Sequence, residues 1–149
     1  YHSVFVKRDG SVWTSGWNSR GQLGDGSRTD RPTPLQIMTG VRAASVGMYH
    51  SLFLRVDGTA WAVGDNTYGQ LADGTQTSRL SAIQVMENVE AVSAGSYHSM
   101  FVKMDGTVWT AGWNVYGQLG EGTNISQFFP VQVLTGAVAV EGGGSHSVF

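Results

Sequence analysis

Four histidines, His2, His50, His98 and His146, recur every 48 residues along the 149-residue chain, and each is followed by a serine. Histidine is a common metal ligand and general base, so such a set first raises a metal site or a catalytic centre. The spacing argues against both. Equivalent points on neighbouring packed sheets stand roughly 10 Å apart, whereas ligands must converge to about 2 Å from one ion. The better reading is structural, with each histidine beside a strand junction and hydrogen-bonded to the backbone of its own repeat. No metal site is expected.

The acids are no better placed for chemistry. Asp9, Asp57, Asp105, Asp25, Asp73 and Glu121 each precede a glycine, the turn position at which an acid accepts hydrogen bonds from its own backbone. No Ser-His-Asp or Cys-His constellation can be assembled from non-repeating residues, so no catalytic residue is assigned and the chain reads as a non-enzyme without a cofactor. Gly21 to Gly26 imitates a phosphate loop but lacks the Lys-Ser/Thr ending and the helix that must follow it. It reads as a turn. Because Ala72 stands where the other repeats have Gly24 and Gly120, positive φ is not expected at that position.

The elements that must position these residues are themselves repeated. Tyr97 to Gly122 has counterparts at Tyr49 to Gly74 and Tyr1 to Gly26, which divides the chain into repeats of about 2–49, 50–97 and 98–145, with 146–149 starting a fourth. Within a unit every signal is for strand: His50 to Arg55 and Thr59 to Gly64 are short apolar runs joined through Asp57-Gly58, a pair favoured in type I′ hairpin turns. Asp9-Gly10 and Asp105-Gly106 match it. A third strand is expected over Ala82 to Met86, with Pro34 to Met38 and Pro130 to Leu134 equivalent. A fourth is expected over Val89 to Ala94, with Val41 to Val46 and Ala137 to Gly142 equivalent. Thr107 to Ala111 has apolar or small residues at successive positions, so both faces of the sheet are covered. Four-stranded antiparallel sheets stacked face to face around an axis make an all-β fold, a β-propeller with one blade per 48 residues. A β-solenoid is the rival, but its coils need fewer residues and tight hairpins imply antiparallel pairing.

Composition narrows the function. Hydrophobic residues at 41% suffice for a core, while 13% charged residues and a net charge of −2 lack the basic footprint of a nucleic-acid binder. The 21 glycines fall in register, which marks special backbone positions and not low complexity. There is no cysteine for disulfide or thiol chemistry, and no run nears the roughly 18 apolar residues of a membrane helix.

Three motifs in register, Asn-x-x-Gly-Gln-Leu (Asn18 to Leu23, Asn66 to Leu71, Asn114 to Leu119), Gly-x-x-His-Ser (Gly47 to Ser51, Gly95 to Ser99, Gly143 to Ser147) and the Asp-Gly-x-x-Trp hairpin, resemble the regulator-of-chromosome-condensation repeat over essentially the whole chain. In that family seven such repeats usually close one ring, so the resemblance implies that these blades are part of a seven-bladed propeller. It also implies two activities found among relatives: guanine-nucleotide exchange on a small GTPase, through a projecting β-wedge insertion, and inhibition of an extracellular enzyme. The strict 48-residue spacing leaves no wedge in this stretch.

Repeated residues are assigned to the scaffold and varying ones to a surface. Trp13, Trp61 and Trp109 should pack between blades, and truncating one should cost about 3 to 5 kcal/mol. His50, His98, Gly58 and Gly106 are structural in the same sense. The loop before each first strand and the Gly-Gln-Leu loop should share one face of the disc, with the Asp-Gly turns on the other. On the first face stand Trp17, Asp65 and Trp113 at one position, Arg20, Tyr68 and Tyr116 at a second, with Tyr49 and Tyr97 beside them. Aromatic and arginine side chains on loops are typical interface anchors. The expected role is a non-catalytic scaffold binding a protein partner through that face. Three repeats are too few to surround an axis; further blades are expected from the same longer chain or from a second copy. Asn124-Ile125-Ser126 is a glycosylation acceptor pattern.

Overall fold

The computed structural model describes residues 1–149 and contains strands, turns and no helix. Strands β1 (His2–Val6), β2 (Val12–Gly16) and β3 (Arg31–Met38) form a first antiparallel sheet. The second joins β4 (Val41–Val46), β5 (His50–Arg55), β6 (Ala60–Gly64) and β7 (Arg79–Met86), and the third joins β8 (Val89–Ala94), β9 (His98–Lys103), β10 (Val108–Gly112) and β11 (Gln127–Leu134), each in chain order. A short pair follows, β12 (Glu141–Gly142) with β13 (Ser147–Val148). The last strand of each sequence repeat thus opens the next blade: Ala44 of β4 pairs with Phe53 of β5, not with the sheet before it. The outer strands begin three residues earlier than their apolar patterns, at Arg31, Arg79 and Gln127, because an edge strand keeps its ladder through polar residues.

Period-two alternation within one strand builds two interfaces at once. In β5, Leu52 and Leu54 turn toward the third sheet and pack with Val89, Ala94 and Phe101. Phe53 turns toward the first sheet and packs with Val12. Trp61 packs in the interface with the first sheet and Trp109 in the interface with the second, so each of these two indoles faces the preceding blade. Trp61 Nε1 donates to Thr59 Oγ1 at 2.9 Å, and the Arg55 guanidinium lies 5.6 Å from its ring. Lys7 covers Trp13 and Lys103 covers Trp109 in the same way.

The Asp-Gly hairpins differ from the expected type I′ form. Only the glycine has positive φ, 80° at Gly58 and 79° at Gly106. Gly58 N donates to Arg55 O while Arg55 N donates to Thr59 O, which is a type I turn closed by a glycine bulge. Asp57 Oδ1 accepts from Thr59 Oγ1 and N at 2.6 and 3.0 Å, and these bonds hold its carboxyl below the usual range. The aspartate thus stabilises the turn without itself adopting left-handed geometry.

The histidines bond across blades and not within their own. His50 Nε2 lies 3.0 Å from Ser99 Oγ, and Ser99 Oγ donates to Gln70 O at 2.6 Å. His2, Ser51 and Gln22 repeat the link, as do His98, Ser147 and Gln118. Since the serine spends its only hydrogen on the carbonyl, each Nε2 must carry the proton it donates. Nδ1 of His2, His50 and His98 is left buried without a partner. Gly47 and Gly95 are required by close approach and not by φ: a Cβ there would overlap Cε1 of His50 or His98.

Burial, reinforced by the neighbouring imidazoles, pushes His50 down to about 3, and burial holds His2 and His98 near about 4. A folded pKa below the unfolded value of about 6.5 means that the unfolded chain takes up the proton first as pH falls. The stability change is therefore absent above about pH 7 and grows as pH drops toward the folded value. For His50 alone the loss at about pH 5 is on the order of 2 kcal/mol. Urea unfolding should show a falling midpoint from about pH 7.5 to about pH 5, with a shallower fall in His50→Gln. Trp61→Ala should cost about 3 kcal/mol in the same assay.

Candidate functional site

The Asn-x-x-Gly-Gln-Leu loops are tied internally before they present anything outward. Asn18 Oδ1 accepts from Leu23 N at 3.0 Å, and its Nδ2 donates to Asp25 Oδ1 and Thr29 O. Asn66 and Asn114 repeat both roles. Gln22 Oε1 accepts from Arg20 N, as Gln70 does from Tyr68 N and Gln118 from Tyr116 N. Asp25 receives Arg31 Nε at 2.6 Å and Asp73 receives Arg79 Nη2 at 2.7 Å. Burial alone would raise both carboxyls, but bonds from Arg31 and Ser27, and from Arg79 and Thr75, hold them below the usual range. Ala72 in this loop has φ 62°, beside 76° at Gly24 and Gly120, which corrects the expectation from its side chain. Its amide closes the turn on Gly69 O, and the methyl is buried.

Residues fixed by these loops form one continuous ladder of rings. Tyr1 meets Trp17 at 6.0 Å, Trp17 meets Tyr49 at 5.3 Å, and Tyr49 meets Tyr97 at 5.7 Å. Tyr97 meets Trp113 at 5.8 Å and Trp113 meets Tyr116 at 5.2 Å, while Tyr68 lies 5.6 Å from Tyr97 and 6.1 Å from Trp113. Trp17–Tyr49, Tyr97–Trp113 and Trp113–Tyr116 are near perpendicular, at 70°, 77° and 75°. Edge-to-face packing stiffens the row. The Tyr97 hydroxyl lies 3.0 Å from Met48 Sδ, and burial followed by Tyr49 pushes its pKa up. Tyr68 and Tyr116 project furthest among the loop rings, with Tyr116 71% exposed. Six of the eight surface residues singled out from sequence, Trp17, Tyr49, Tyr68, Tyr97, Trp113 and Tyr116, lie in this ladder. Tyr1 extends it, and its equivalence to Tyr49 and Tyr97 was the signal that marks it.

Arg20 and Asp65 behave differently. Arg20 is exposed and makes no ion pair. Asp65 is only 4% exposed, and its Oδ2 accepts from Gln70 Nε2 at 2.9 Å while Oδ1 accepts from Thr67 Oγ1. It supports the face from beneath and does not project from it. Trp17 and Trp113 occupy the equivalent place in the other blades, and there Gln22 Nε2 and Gln118 Nε2 are buried with no acceptor. Leaving such a donor unpaired costs about 1–3 kcal/mol.

A family model for the regulator of chromosome condensation (RCC1) repeat matches residues 9–54, 57–102 and 105–149, and a second model of that repeat matches 41–70 and 89–118. The chain belongs to the RCC1 repeat family. Among solved structures, Prp20p from Saccharomyces cerevisiae is similar with a TM-score of 0.87 at 20% identity over 98% of this chain. That structure is described together with its binding to Gsp1p and histones. The same yeast protein bound to Kap60 gives 0.86 at 20% identity, and human WBSCR16 gives 0.68 at 18%. The chain spans 40% and 39% of the two yeast chains and 54% of the human one. No curated protein matches it. These likenesses establish the RCC1 propeller fold.

The RCC1 loops also account for the glycosylation pattern without a sugar. Asn124 Nδ2 donates to Val115 O, as Gln76 Nε2 does to Thr67 O, and Ser126 Oγ receives Asn114 N, as Ser78 Oγ receives Asn66 N. On the opposite face, Arg42 reaches Glu90 O at 2.8 Å and links neighbouring blades. Asp65→Ala should lower stability by about 1–3 kcal/mol through the orphaned Gln70 amide. Tyr116→Ala should stay within about 0.5 kcal/mol of the parent in the same urea titration.

Proposed function

We propose that this chain is a non-catalytic protein-interaction scaffold that binds a partner through its aromatic loop face. The ladder from Trp17 to Tyr116 carries the reading. Rigid aromatic side chains give large contact area at little entropic cost, which is why tyrosine and tryptophan dominate interface hot spots. Four of the ladder rings, Trp17, Tyr68, Trp113 and Tyr116, stand at positions that differ between repeats, while Tyr1, Tyr49 and Tyr97 repeat and join them into one row. Prp20p, similar in fold, is described with protein ligands, which supports a macromolecular partner over a small molecule.

Exchange on a GTPase is a weaker reading for these repeats, since their loops are equal in length and none projects as a wedge. The scaffold reading includes further blades, from a longer chain or a second copy, covering the outer side of β1 and β2. Phe5 is 50% exposed there, whereas its counterparts Phe53 and Phe101 are fully buried.

Affinity capture with quantitative mass spectrometry tests the proposal. Proteins retained by the parent chain should be lost from a Trp17→Ala, Tyr68→Ala, Trp113→Ala, Tyr116→Ala variant and kept by Val56→Ser with Met104→Ser, which alters the opposite face. Retention by the ladder variant, or loss that tracks unfolding, would overturn it.

A further inference from the structure

We propose that β7, the outer strand of the second blade, is a pairing edge whose occupant is β7 of a second copy of this chain, joined antiparallel across a two-fold axis into one eight-stranded sheet. This edge is distinct from the aromatic loop face and from the outer side of β1 and β2.

A single repeat-equivalent position in the outer strands points to it. β3, β7 and β11 each end a sheet, so one side of each has no strand neighbour. Unpaired amides and carbonyls along such an edge are a template for another strand, and proteins blunt them with proline or charge. β3 contains Pro32 and Pro34, and β11 contains Pro130. The ladders to β2 and β10 skip Pro34 and Pro130, because proline has no N–H to give and enters an edge strand with its nitrogen on the open side. The ladder of β7 to β6 skips the same place, but the residue there is Ala82. The second blade therefore keeps an outward N–H that the first and third lack. Register irregularities occur in all three strand pairs, so they do not account for the exchange. From Leu80 to Met86 the strand has no proline, glycine or charge, a composition that favours pairing.

The two ends of the strand select the occupant. Identical strands related by a two-fold axis run antiparallel, so the start of one lies beside the end of the other. Glu87 follows β7, exposed, and its carboxylate receives only Gln84 Nε2 at 2.9 Å. At the start of the strand Gly26 N donates to Leu80 O, which brings the loop that continues to Arg28 against the edge. Arg28 is exposed and makes no ion pair, whereas Asp25 is held by Arg31, Asp73 by Arg79 and Asp30 by Asn18 N. Antiparallel docking directs the partner's Glu87 toward Arg28, twice in the dimer. In the third blade the matching residues are Gln76 and Thr135, and β3 is followed by Thr39. Opposite charges at the two ends thus coincide with the missing proline on one edge alone. A ladder with two ion pairs at its rim buries less than about 1,200 Å², the range of weak complexes, so the dimer forms at high concentration and responds to salt.

Sedimentation equilibrium of the full chain over a wide concentration range, with hydrogen exchange at the two extremes, tests the pairing. The average mass should rise toward twice that of one chain, less steeply at high salt, and the Ala82 amide should exchange more slowly in the concentrated sample. Ala82→Pro places in β7 the residue that β3 and β11 already hold, so it should keep the urea midpoint of the parent and remain monomeric. Glu87→Arg alone and Arg28→Glu alone should each weaken the dimer at least about fivefold, and the two together should restore it. These exposed positions decide the question if Ala82→Pro does not fold. A chain that stays monomeric at every concentration, a dimer that Ala82→Pro leaves intact, or charge reversals that the double variant does not rescue would each overturn the proposal. So would concentration-dependent protection confined to β1 and β13, which marks association through the outer blades. The aromatic ladder is unaltered in all these variants, so protein capture through it stands or falls independently.

Discussion

Every blade junction rests on one directed hydrogen-bond chain, from imidazole to serine to loop carbonyl. Its direction is forced, because Ser99 Oγ gives its hydrogen to Gln70 O and can only accept from His50. The imidazole must then be neutral with its proton on Nε2, and burial enforces that state. The carbonyl at the end of the chain belongs to the Gly-Gln-Leu loop, whose glutamine side chain also fixes the backbone of position 68. Blade docking and presentation of the ladder are thus one mechanical unit: the residue that locks two sheets also locks the loop that carries the aromatic ring.

The wedge shape follows from where residues are omitted. Neighbouring sheets approach most closely around β1, β4, β8 and β12, and there Gly47, Gly95 and Gly142 replace side chains. Ala94 N and Gly142 N bond to Ser45 Oγ and Ser93 Oγ of the blade before. Farther out the gap is filled by leucine and phenylalanine of the second strand, tryptophan of the third, and Val85 and Met86 of the outermost. Side chains that are absent near the axis and present farther out set the angle between sheets.

Much of this was legible in the sequence because it is local. The His50 and Val89 strands begin and end where their apolar runs do, and the two-faced burial of β10 follows from Thr107 to Ala111. What escaped depends on distant or backbone partners. Asp-Gly signalled a hairpin but not its type, since two φ patterns accept that pair. Ala72 looked free of backbone constraint because alanine disfavours positive φ; a closing hydrogen bond and a buried methyl overrule a preference of about 1–2 kcal/mol. The histidine partner lies 49 residues away in the next repeat, visible only if the His-Ser pair is read as donor in one blade and acceptor in the following one. Trp17, Tyr68, Trp113 and Tyr116 were marked by their variation between repeats, and Tyr49 and Tyr97, which repeat, by their place beside them; Asp65 varies too but lies buried, because a substitution can vary for support from below as readily as for contact from above.

The His-Ser-Gln link has the same polarity at every junction, so its interface is heterologous, head to tail. A junction of this kind carries no information about how many junctions there are. Copies of the 48-residue segment inserted or deleted in register would meet neighbours they already fit, and genetic recombination between repeats would yield arrays that fold locally whatever their number. The number at which such an array closes must come from the angle between sheets, set by side chains absent near the axis and present farther out, and not from any recognition between first and last blade.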